Sequence, residues 1–329
     1  MTEKAAAENT KKLRNDSQVM NSLPRILILV LLGAVLSFLS PYFLTPLNLI
    51  NVVAMSSIPI ILALGETLVV LTGNIDLSLG AIFSMGGVVA AALMKYLEIP
   101  VPIAILGGLG IGALMGYFNG LLMAKVKLPS FIGSYGLRVA VTGIANAILQ
   151  GYIVYGFPDS FRFLGVKRIL DIPVPIYFAV VSFGIVWMIL NRTKLGRRIY
   201  AVGANAEAAR LSGIRNDHVI IIVYVMAGVL AALAGILQTS RINSTHAFLG
   251  DPMLLPAIAA VVIGGTSMFG GVGGGFGTII GALIMNIIQN GLNLLGAPSV
   301  WQQTIVGVII LLAVIIDQSV RRVTEKRIR

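Results

Sequence analysis

Long apolar runs separated by short polar segments dominate the pattern along this chain. An apolar run of about 20 residues is long enough to cross a bilayer. In chain order the runs cover residues 25–39, 50–71, 77–94, 102–123, 131–149, 174–190, 219–237, 254–263, 276–295 and 305–316. The eighth run is too short for a plain span and is followed by glycines, so it either spans or re-enters. The pattern predicts an all-α membrane protein, a polytopic helical bundle of about ten transmembrane helices.

The cations of the loops and tails predict how this bundle is oriented. Residues 191–217 carry six Lys and Arg, and residues 1–24 and 318–329 are also basic. Since cytoplasmic segments carry an excess of cations, all three are expected in the cytoplasm, with the chain crossing the membrane several times between them. The segment 151–173 breaks this rule. Residues 25–317 are predicted to form one transmembrane domain between an N-terminal and a C-terminal tail.

Composition supports the membrane class and excludes several kinds of chemistry. Charged residues make up 11% and apolar residues 57% of the chain, against about 25% and 45–50% in soluble domains. The net charge of +11 lies mainly in loops and tails, which favours membrane orientation over nucleic-acid binding. With no Cys and with His218 and His246 far apart, we expect no disulfide and no metal cluster. The chain has no catalytic nucleophile arrangement and no phosphate-binding loop, so it is expected not to be an enzyme.

A short polar, helix-forming segment lies between two apolar runs at residues 201–214. Asn205 suits a helix N-cap, and Gly213 is the kind of residue that ends a helix. A short helix at the membrane surface with nothing to catalyse is interpreted as a docking site for another protein, whereas the alternative is an ordinary loop with one helical turn. The candidate docking residues are Asn205, Glu207, Ala208, Ala209, Arg210, Leu211, Ser212, Gly213 and Ile214.

Short motifs across the chain resemble those of one transporter family. The spacing of Glu207, Ala208, Ala209 and Gly213 is the E-A-A-x-x-x-G pattern of permease subunits of bacterial ATP-binding-cassette importers. Further motifs in family order are similar to the ribose/xylose/arabinose-type branch of that family. These are LTGNIDLSLG at 71–80, LPSFI at 128–132, GFPDSF at 156–161, IGGTSMFGG at 263–271 and NGLNLL at 290–295. One such motif is weak, but several in order are specific.

The resemblance implies a function, a set of partners and a location as a multi-pass protein of the bacterial inner (plasma) membrane. The bundle is expected to be type II importer-like, with a second permease copy (a homodimer or a related chain) around one translocation path. A cytoplasmic ATPase subunit would bind ATP and Mg, with no cofactor in this chain. A periplasmic or extracellular sugar-binding protein would deliver a ribose-like monosaccharide. By matching position, residues 205–214 would be the coupling helix. Departures from the family pattern at Thr142, Leu254 and Pro256 leave a sugar, a polyol and a nucleoside open as substrates.

Polar residues within or beside the apolar runs are the candidates for the translocation path. Charge inside a membrane is costly and needs a partner or water. Glu66 either faces a water-filled vestibule or joins helices, through hydrogen bonds or a salt bridge with Arg138. Asp76 either caps the following run or lines the path, and Arg138 either pairs with a carboxylate or lines it. The candidate path residues are Glu66, Asn74, Asp76, Arg138, Thr266, Ser267, Asn290 and Asn293.

Glycines suggest both close packing and an irregular turn. Gly108, Gly112, Gly116 and Gly120 lie on one face of the fourth run, which predicts close helix packing. Residues 264–275 form either a re-entrant turn beside the path or an ordinary cytoplasmic turn. Two alternatives to the importer remain: an ion-coupled secondary transporter of a small polar solute, and a channel with residues 264–275 as its filter. Neither would require the segment 203–214.

Overall fold

The structure is a bundle of α-helices with very little strand. The computed structural model describes residues 25–298, 300–302, 304–305, 307–309, 311–312 and 315, so the predicted tails at 1–24 and 318–329 lie outside the described residues. The helices are α1 Arg25–Leu39, α2 Pro46–Leu71, α3 Leu79–Lys95, α4 Val101–Leu121, α5 Ser130–Ile148, α6 Asp159–Val166, α7 Val174–Arg192, α8 Lys194–Ala204, α9 Ala206–Leu211, α10 Asn216–Ile242, α11 Asp251–Ile263, α12 Gly275–Leu294 and α13 Val300–Ile309. A π-helical turn, Leu122–Val126, extends α4.

Within the described residues, six helices are long and apolar enough to cross a membrane: α2, α4 with its π-helical extension, α5, α7, α10 and α12. The helices α1, α3, α11 and α13 are apolar but shorter. The prediction of an all-α polytopic membrane protein is confirmed, while the count of about ten spans stays a prediction. At 1.5 Å per residue, the 13 residues of α11 reach about 20 Å, which is less than the bilayer core.

Prolines mark the beginnings of several of these helices. Pro46 is the first residue of α2, and Thr45 before it accepts the N–H of Asn48 through its hydroxyl at 3.4 Å. A proline at the first turn removes only an N–H that has no partner in the helix. Pro59 lies inside α2, yet the helix continues past it because only one backbone bond is lost and neighbouring helices surround it.

Helix α10 lies at the centre of the bundle and packs against α2, α3 and α4. The predicted glycine face of α4 is buried against it. A Cβ built at Gly112 would lie 2.6 Å from the carbonyl oxygen of Gly228, and one built at Gly116 would overlap the carbonyl oxygen of Tyr224. Such contacts are possible only for glycine, so the prediction of close packing holds for these helices.

The bundle has two ends, which we define by their contacts. At the α9 end, the last turn of α2 meets the glycine-rich turn 264–274, where Gly271 N–H donates to the carbonyl oxygen of Leu71 at 3.0 Å. At the opposite end, Asn48 and Asn290 join α2 to α12 through two side-chain hydrogen bonds of 2.9 and 3.2 Å. Helices α2, α10 and α12 therefore connect both ends of the molecule.

The connection at 151–173 is more ordered than its polar sequence indicates. It contains α6, whose Phe161 is buried and accepts the hydroxyl of Ser240 through its carbonyl oxygen at 2.7 Å. Four two-residue strands form two antiparallel pairs, with β1 Val154–Tyr155 against β4 Ser244–Thr245 and β2 Arg168–Ile169 against β3 Ile172–Pro173. We did not predict these elements, because each is too short to show a periodic pattern.

Candidate functional site

Helix α9 presents a compact charged surface at the α9 end. The Asn205 side chain accepts the N–H of Ala208 at 2.9 Å, which is the predicted N-cap. Gly213 has a positive φ of 80°, and its N–H returns to the carbonyl oxygen of Arg210 at 3.0 Å, which closes the helix. The predicted helix is therefore present, with bounds close to those expected.

The charged pair of α9 faces solvent. Arg210 forms two hydrogen bonds to the Glu207 carboxylate, at 2.6 and 3.0 Å, and the two side chains are 63% and 65% exposed. Arg210 holds the pKa of Glu207 below its ordinary value, first through this hydrogen bond and then through its charge. Ala209 is buried, whereas Leu211 is 75% exposed. An exposed apolar residue beside an ordered ion pair suits a protein contact.

Helix α8 connects α9 to the bundle. We did not predict α8, although its amphipathic pattern of buried Ile199 and Val202 was available as a signal. Near its end, a Cβ at Gly203 would overlap the carbonyl oxygen of Leu71 and lie 2.6 Å from Gly271 N. The segment that carries α9 is thus in direct contact with both the end of α2 and the turn 264–274.

Glu66 and Asp76 lie together in a fully buried polar cluster, away from solvent. The N–H of Asp76 donates to Glu66 Oε1 at 3.2 Å, and the Ser78 N–H and hydroxyl donate to Asp76 Oδ1 at 2.8 and 2.5 Å. Asn119 of α4 donates to the Ser78 hydroxyl at 3.1 Å. These bonds hold the turn before α3, whose N-cap is Ser78 with no side-chain capping bond, so the expected cap by Asp76 is not formed. They also make Glu66 the group that joins α2 to the connection before α3.

Arg138 pairs with Asp251 at the start of α11, at 3.1 Å, and lies over the ring of Tyr135. The proposed salt bridge between Glu66 and Arg138 is wrong, because Arg138 has this other carboxylate beside it. Asp251 is the partner that sequence reasoning missed, since it lies more than a hundred positions further along the chain.

Asn74, Thr266 and Ser267 lie at the α9 end. The side-chain amide of Asn74 donates to the hydroxyl of Thr72 at 3.0 Å. Thr266 is buried and accepts the N–H of Gly274 at 3.3 Å, while Ser267 accepts the N–H of Phe269 at 3.3 Å. Both hydroxyls thus hold the turn 264–274 in shape. Of the two interpretations of this segment, the hydrogen bonds fit the ordinary turn between α11 and α12.

Asn290 and Asn293 line a cavity of about 290 Å³ near the opposite end, which we call the amide cavity. Its walls come from α2, α10, α11 and α12. Its polar wall carries five carboxamides and one guanidinium: Gln238, Arg241, Asn286, Gln289, Asn290 and Asn293. Its apolar wall includes Val52, Met55, Pro59, Ile242 and Met253. Of the eight predicted path residues, only these two asparagines lie here.

The remaining polar residues of the amide cavity had a sequence signal that we missed. Asn286, Gln289, Asn290 and Asn293 have the spacing i, i+3, i+4 and i+7, which places all four on one face of α12. Gln238 and Arg241 have the spacing i, i+3 on α10. A stripe of amides along an apolar helix is unusual enough to have been found by the same periodicity test that located the spans.

These features define a polytopic helical membrane protein with an exposed helix at one end and a polar cavity near the other. The family model described as "Branched-chain amino acid transport system / permease component" matches residues 48–314. The chain therefore belongs to this family of permease components of transport systems, and it is a transport subunit, not an enzyme. The motif-based recognition of an importer permease is confirmed. No solved structure shows a significant match to the chain.

Curated relatives match almost the whole chain. The ribose import permease protein RbsC of Escherichia coli K12 is 41% identical over 296 residues, which cover 89% of this chain and 92% of the relative. The protein of the same name from Bacillus subtilis 168 is 41% identical over 302 residues, with 91% and 94% covered. The D-allose transport system permease protein AlsC of Escherichia coli K12 is 37% identical over 296 residues, with 90% and 91% covered.

Proposed function

We propose that this chain is the permease subunit of an ATP-binding-cassette importer that carries a monosaccharide, with ribose as the first candidate. The observation that carries the proposal is the ordered, exposed helix α9 with its E-A-A-x-x-x-G motif, in a chain similar to permeases named for ribose and D-allose. A gradient-driven transporter would have no use for such a helix. The amide cavity, which is lined by neutral polar groups, agrees with a neutral polyhydroxylated solute.

A separate ATPase subunit is proposed to bind at the α9 end and to hold the ATP and Mg, with no cofactor in this chain. In this proposal residues 205–214 form the coupling helix, and the α9 end lies in the cytoplasm, as the cations of 191–217 predict. ATP binding would move α9. Because Gly203 contacts the end of α2, that movement would reach α2 and the turn 264–274 directly.

The opposite end is proposed to face the cell exterior, where a sugar-binding protein docks and releases its monosaccharide. A second permease copy would complete the path, as in a homodimer. Within this chain we assign the path to Asn290, Asn293 and the other residues of the amide cavity. Glu66, Asp76 and Arg138 are assigned to holding helices together, because their hydrogen bonds and ion pair join them to neighbouring helices and turns.

Co-purification of the ATPase with this chain tests the proposal. We expect the ATPase to be recovered with the native chain and lost with Glu207→Arg, which places two like charges together on α9 and changes the surface offered to the partner. Glu98→Arg is the matched control, since Glu98 is exposed in the connection between α3 and α4. If the ATPase associates with neither native chain nor control, the importer assignment fails and an ion-coupled transporter takes its place.

A further inference from the structure

The side chains of the amide cavity divide into paired and unpaired groups. Asn290 exchanges two hydrogen bonds with Asn48, and Asn293 accepts the side-chain amide of Gln302 at 2.8 Å. The side chains of Gln238, Arg241, Asn286 and Gln289 make no hydrogen bond or ion pair with any other described residue. Asn290 and Asn293 are therefore held in place by the protein, while the four other polar side chains of the cavity make no such bond.

We propose that this permease has a sugar-binding site of its own in the amide cavity, in which Gln238, Arg241, Asn286 and Gln289 hydrogen-bond the hydroxyl groups of a neutral monosaccharide. The inference rests on the proposed function and names the place where this chain contacts its solute. Permease and external binding protein would then both contribute to the choice of sugar.

The chemistry of the polar wall matches a neutral polyol. A carboxamide offers both donors and an acceptor, and each sugar hydroxyl is likewise donor and acceptor. The three unpaired carboxamides can therefore bind hydroxyls in either direction, and the guanidinium of Arg241 adds donors for hydroxyl or ring oxygens. No Asp or Glu is among the described residues that line the cavity. A cation would lack its preferred carboxylate ligands there.

The apolar wall and the size of the cavity agree with the same class of ligand. A sugar ring has C–H groups as well as hydroxyls, and Val52 and Met55 of α2 with Met253 of α11 offer apolar surface across from the amides. The cavity of about 290 Å³ is close to the lower end of the range for small-molecule sites, about 300 Å³. This space suits one monosaccharide. The arrangement of a few polar groups on an apolar surface is the usual one for small-molecule sites.

Protection of an introduced thiol from labelling gives the first test. Because the native sequence has no Cys, the introduced Cys is the only thiol in this chain. The Asn286→Cys variant is assembled into the full transporter in proteoliposomes and labelled with a small polar thiol reagent. Mass spectrometry of this chain measures the fraction that is labelled. We expect the external binding protein to slow labelling when loaded with D-ribose, D-allose or D-galactose, relative to the unloaded protein. Asn146→Cys is the control, because Asn146 is exposed on α5, outside the cavity. Equal labelling with and without sugar overturns the site.

Uptake per ATP hydrolysed gives the second test. The double variant Asn286→Leu with Gln289→Leu is expected to assemble with the ATPase and to keep the stimulation of ATP hydrolysis by the binding protein. Its uptake should fall about tenfold, because hydroxyls that leave water would find no partner. Asn146→Leu should be unchanged. If the double variant fails to assemble with the ATPase, uptake per ATP by the single variant Gln289→Leu is measured in its place, since Gln289 is exposed.

The outcomes separate this inference from the proposed function. If the native transporter takes up none of the three sugars, the proposed function as a monosaccharide importer is wrong. If the native transporter takes up these sugars and the Leu double variant takes them up equally well, only the proposed site in the amide cavity is wrong. Stronger protection of Asn286→Cys by D-gluconate than by any neutral sugar overturns the assignment to neutral ligands and makes Arg241 an anion-binding group.

Discussion

At the scale of single residues, two glycines of α4 show how closely this bundle is packed. Gly116 faces α10, where an added Cβ would overlap the carbonyl oxygen of Tyr224. Gly110 lies on the other side of the same helix, and an added Cβ there would meet no heavy atom within 4 Å. The same residue type therefore has a packing role at one position and none at the other.

Gly116→Ala is expected to destabilise the protein by about 1–3 kcal/mol, because α4 and α10 must move apart to admit the methyl group. Gly110→Ala is the matched control and should be neutral or stabilising by about 0.5–1 kcal/mol, since alanine is the better helix former. Thermal unfolding of the two variants in detergent checks this prediction. Equal midpoints for both would contradict the described packing.

Glu66 is the second residue whose role can be separated by substitution. Its Oε1 accepts the Asp76 N–H, and the structure shows no cationic side chain paired with it in the described part of the chain. Glu66→Gln keeps the acceptor without the charge, so it should leave stability and transport nearly unchanged. Glu66→Ala leaves the N–H unpaired and a cavity behind, at a cost of about 2–4 kcal/mol. Thermal unfolding distinguishes the two, and a Gln variant as unstable as the Ala variant would show that the charge is needed.

At the scale of elements, α8 and α9 link the surface proposed to meet the ATPase to the membrane helices. Exposed Glu207 and Arg210 lie at one end of this link, and Gly203 against the backbone of Leu71 lies at the other. The contact through Gly203 involves backbone atoms, which cannot adjust as a side chain can. A movement of α9 is therefore expected to reach α2 with little loss.

Gly203→Ala tests this transmission. The added methyl group would force α8 away from Leu71 and Gly271, so ATP hydrolysis should continue while sugar uptake per ATP falls. Gly184→Ala on α7 is the control, because its added Cβ meets nothing within 4 Å. The ratio of uptake to ATP hydrolysis in proteoliposomes is the measurement. A ratio equal to that of the control would place the transmission elsewhere.

The ion pair of α9 predicts a definite pH dependence. Because Arg210 lowers the pKa of Glu207, the pair supports α9 above the ordinary pKa of that carboxyl, 4.5, and its support is lost as pH falls through the lowered pKa. Association with the ATPase should therefore be constant between about pH 6 and 8, where the carboxyl stays ionised. Measuring the binding of the ATPase to this chain across this pH range checks the prediction. Weakening between pH 7 and 6 would point to a histidine instead.

At the scale of the whole molecule, sequence periodicity located the membrane helices but did not show which polar residues lie together. Each apolar run up to residue 295 became a helix, since length and composition are local properties of the chain. The positions of Glu66, Arg138 and Thr266 relative to one another depend on which helices become neighbours, as the pair of Arg138 with Asp251 shows. Charge at membrane depth therefore identified residues bonded to neighbouring helices and turns, whereas the amide stripe of α12, which periodicity alone would have revealed, lines the cavity.

The molecule as a whole has its exposed helix at one end and its polar cavity near the other, with α2 running between them. Asn48 near the start of α2 bonds Asn290 beside the amide cavity, and Leu71 at its end contacts Gly203 and Gly271. One continuous helix therefore connects the surface proposed to meet the ATPase with the cavity proposed to hold the sugar. This arrangement agrees with a permease that is driven by a partner subunit at one end.

Uptake of labelled D-ribose, D-allose and D-galactose into proteoliposomes tests this account most directly. The vesicles hold this permease with its ATPase, have the external binding protein outside and no ion gradient, and are compared with and without ATP inside. The account predicts uptake of at least one of these sugars that needs both ATP and the binding protein and that a protonophore leaves unchanged. Uptake that proceeds without ATP when an ion gradient is imposed, and not otherwise, would contradict it.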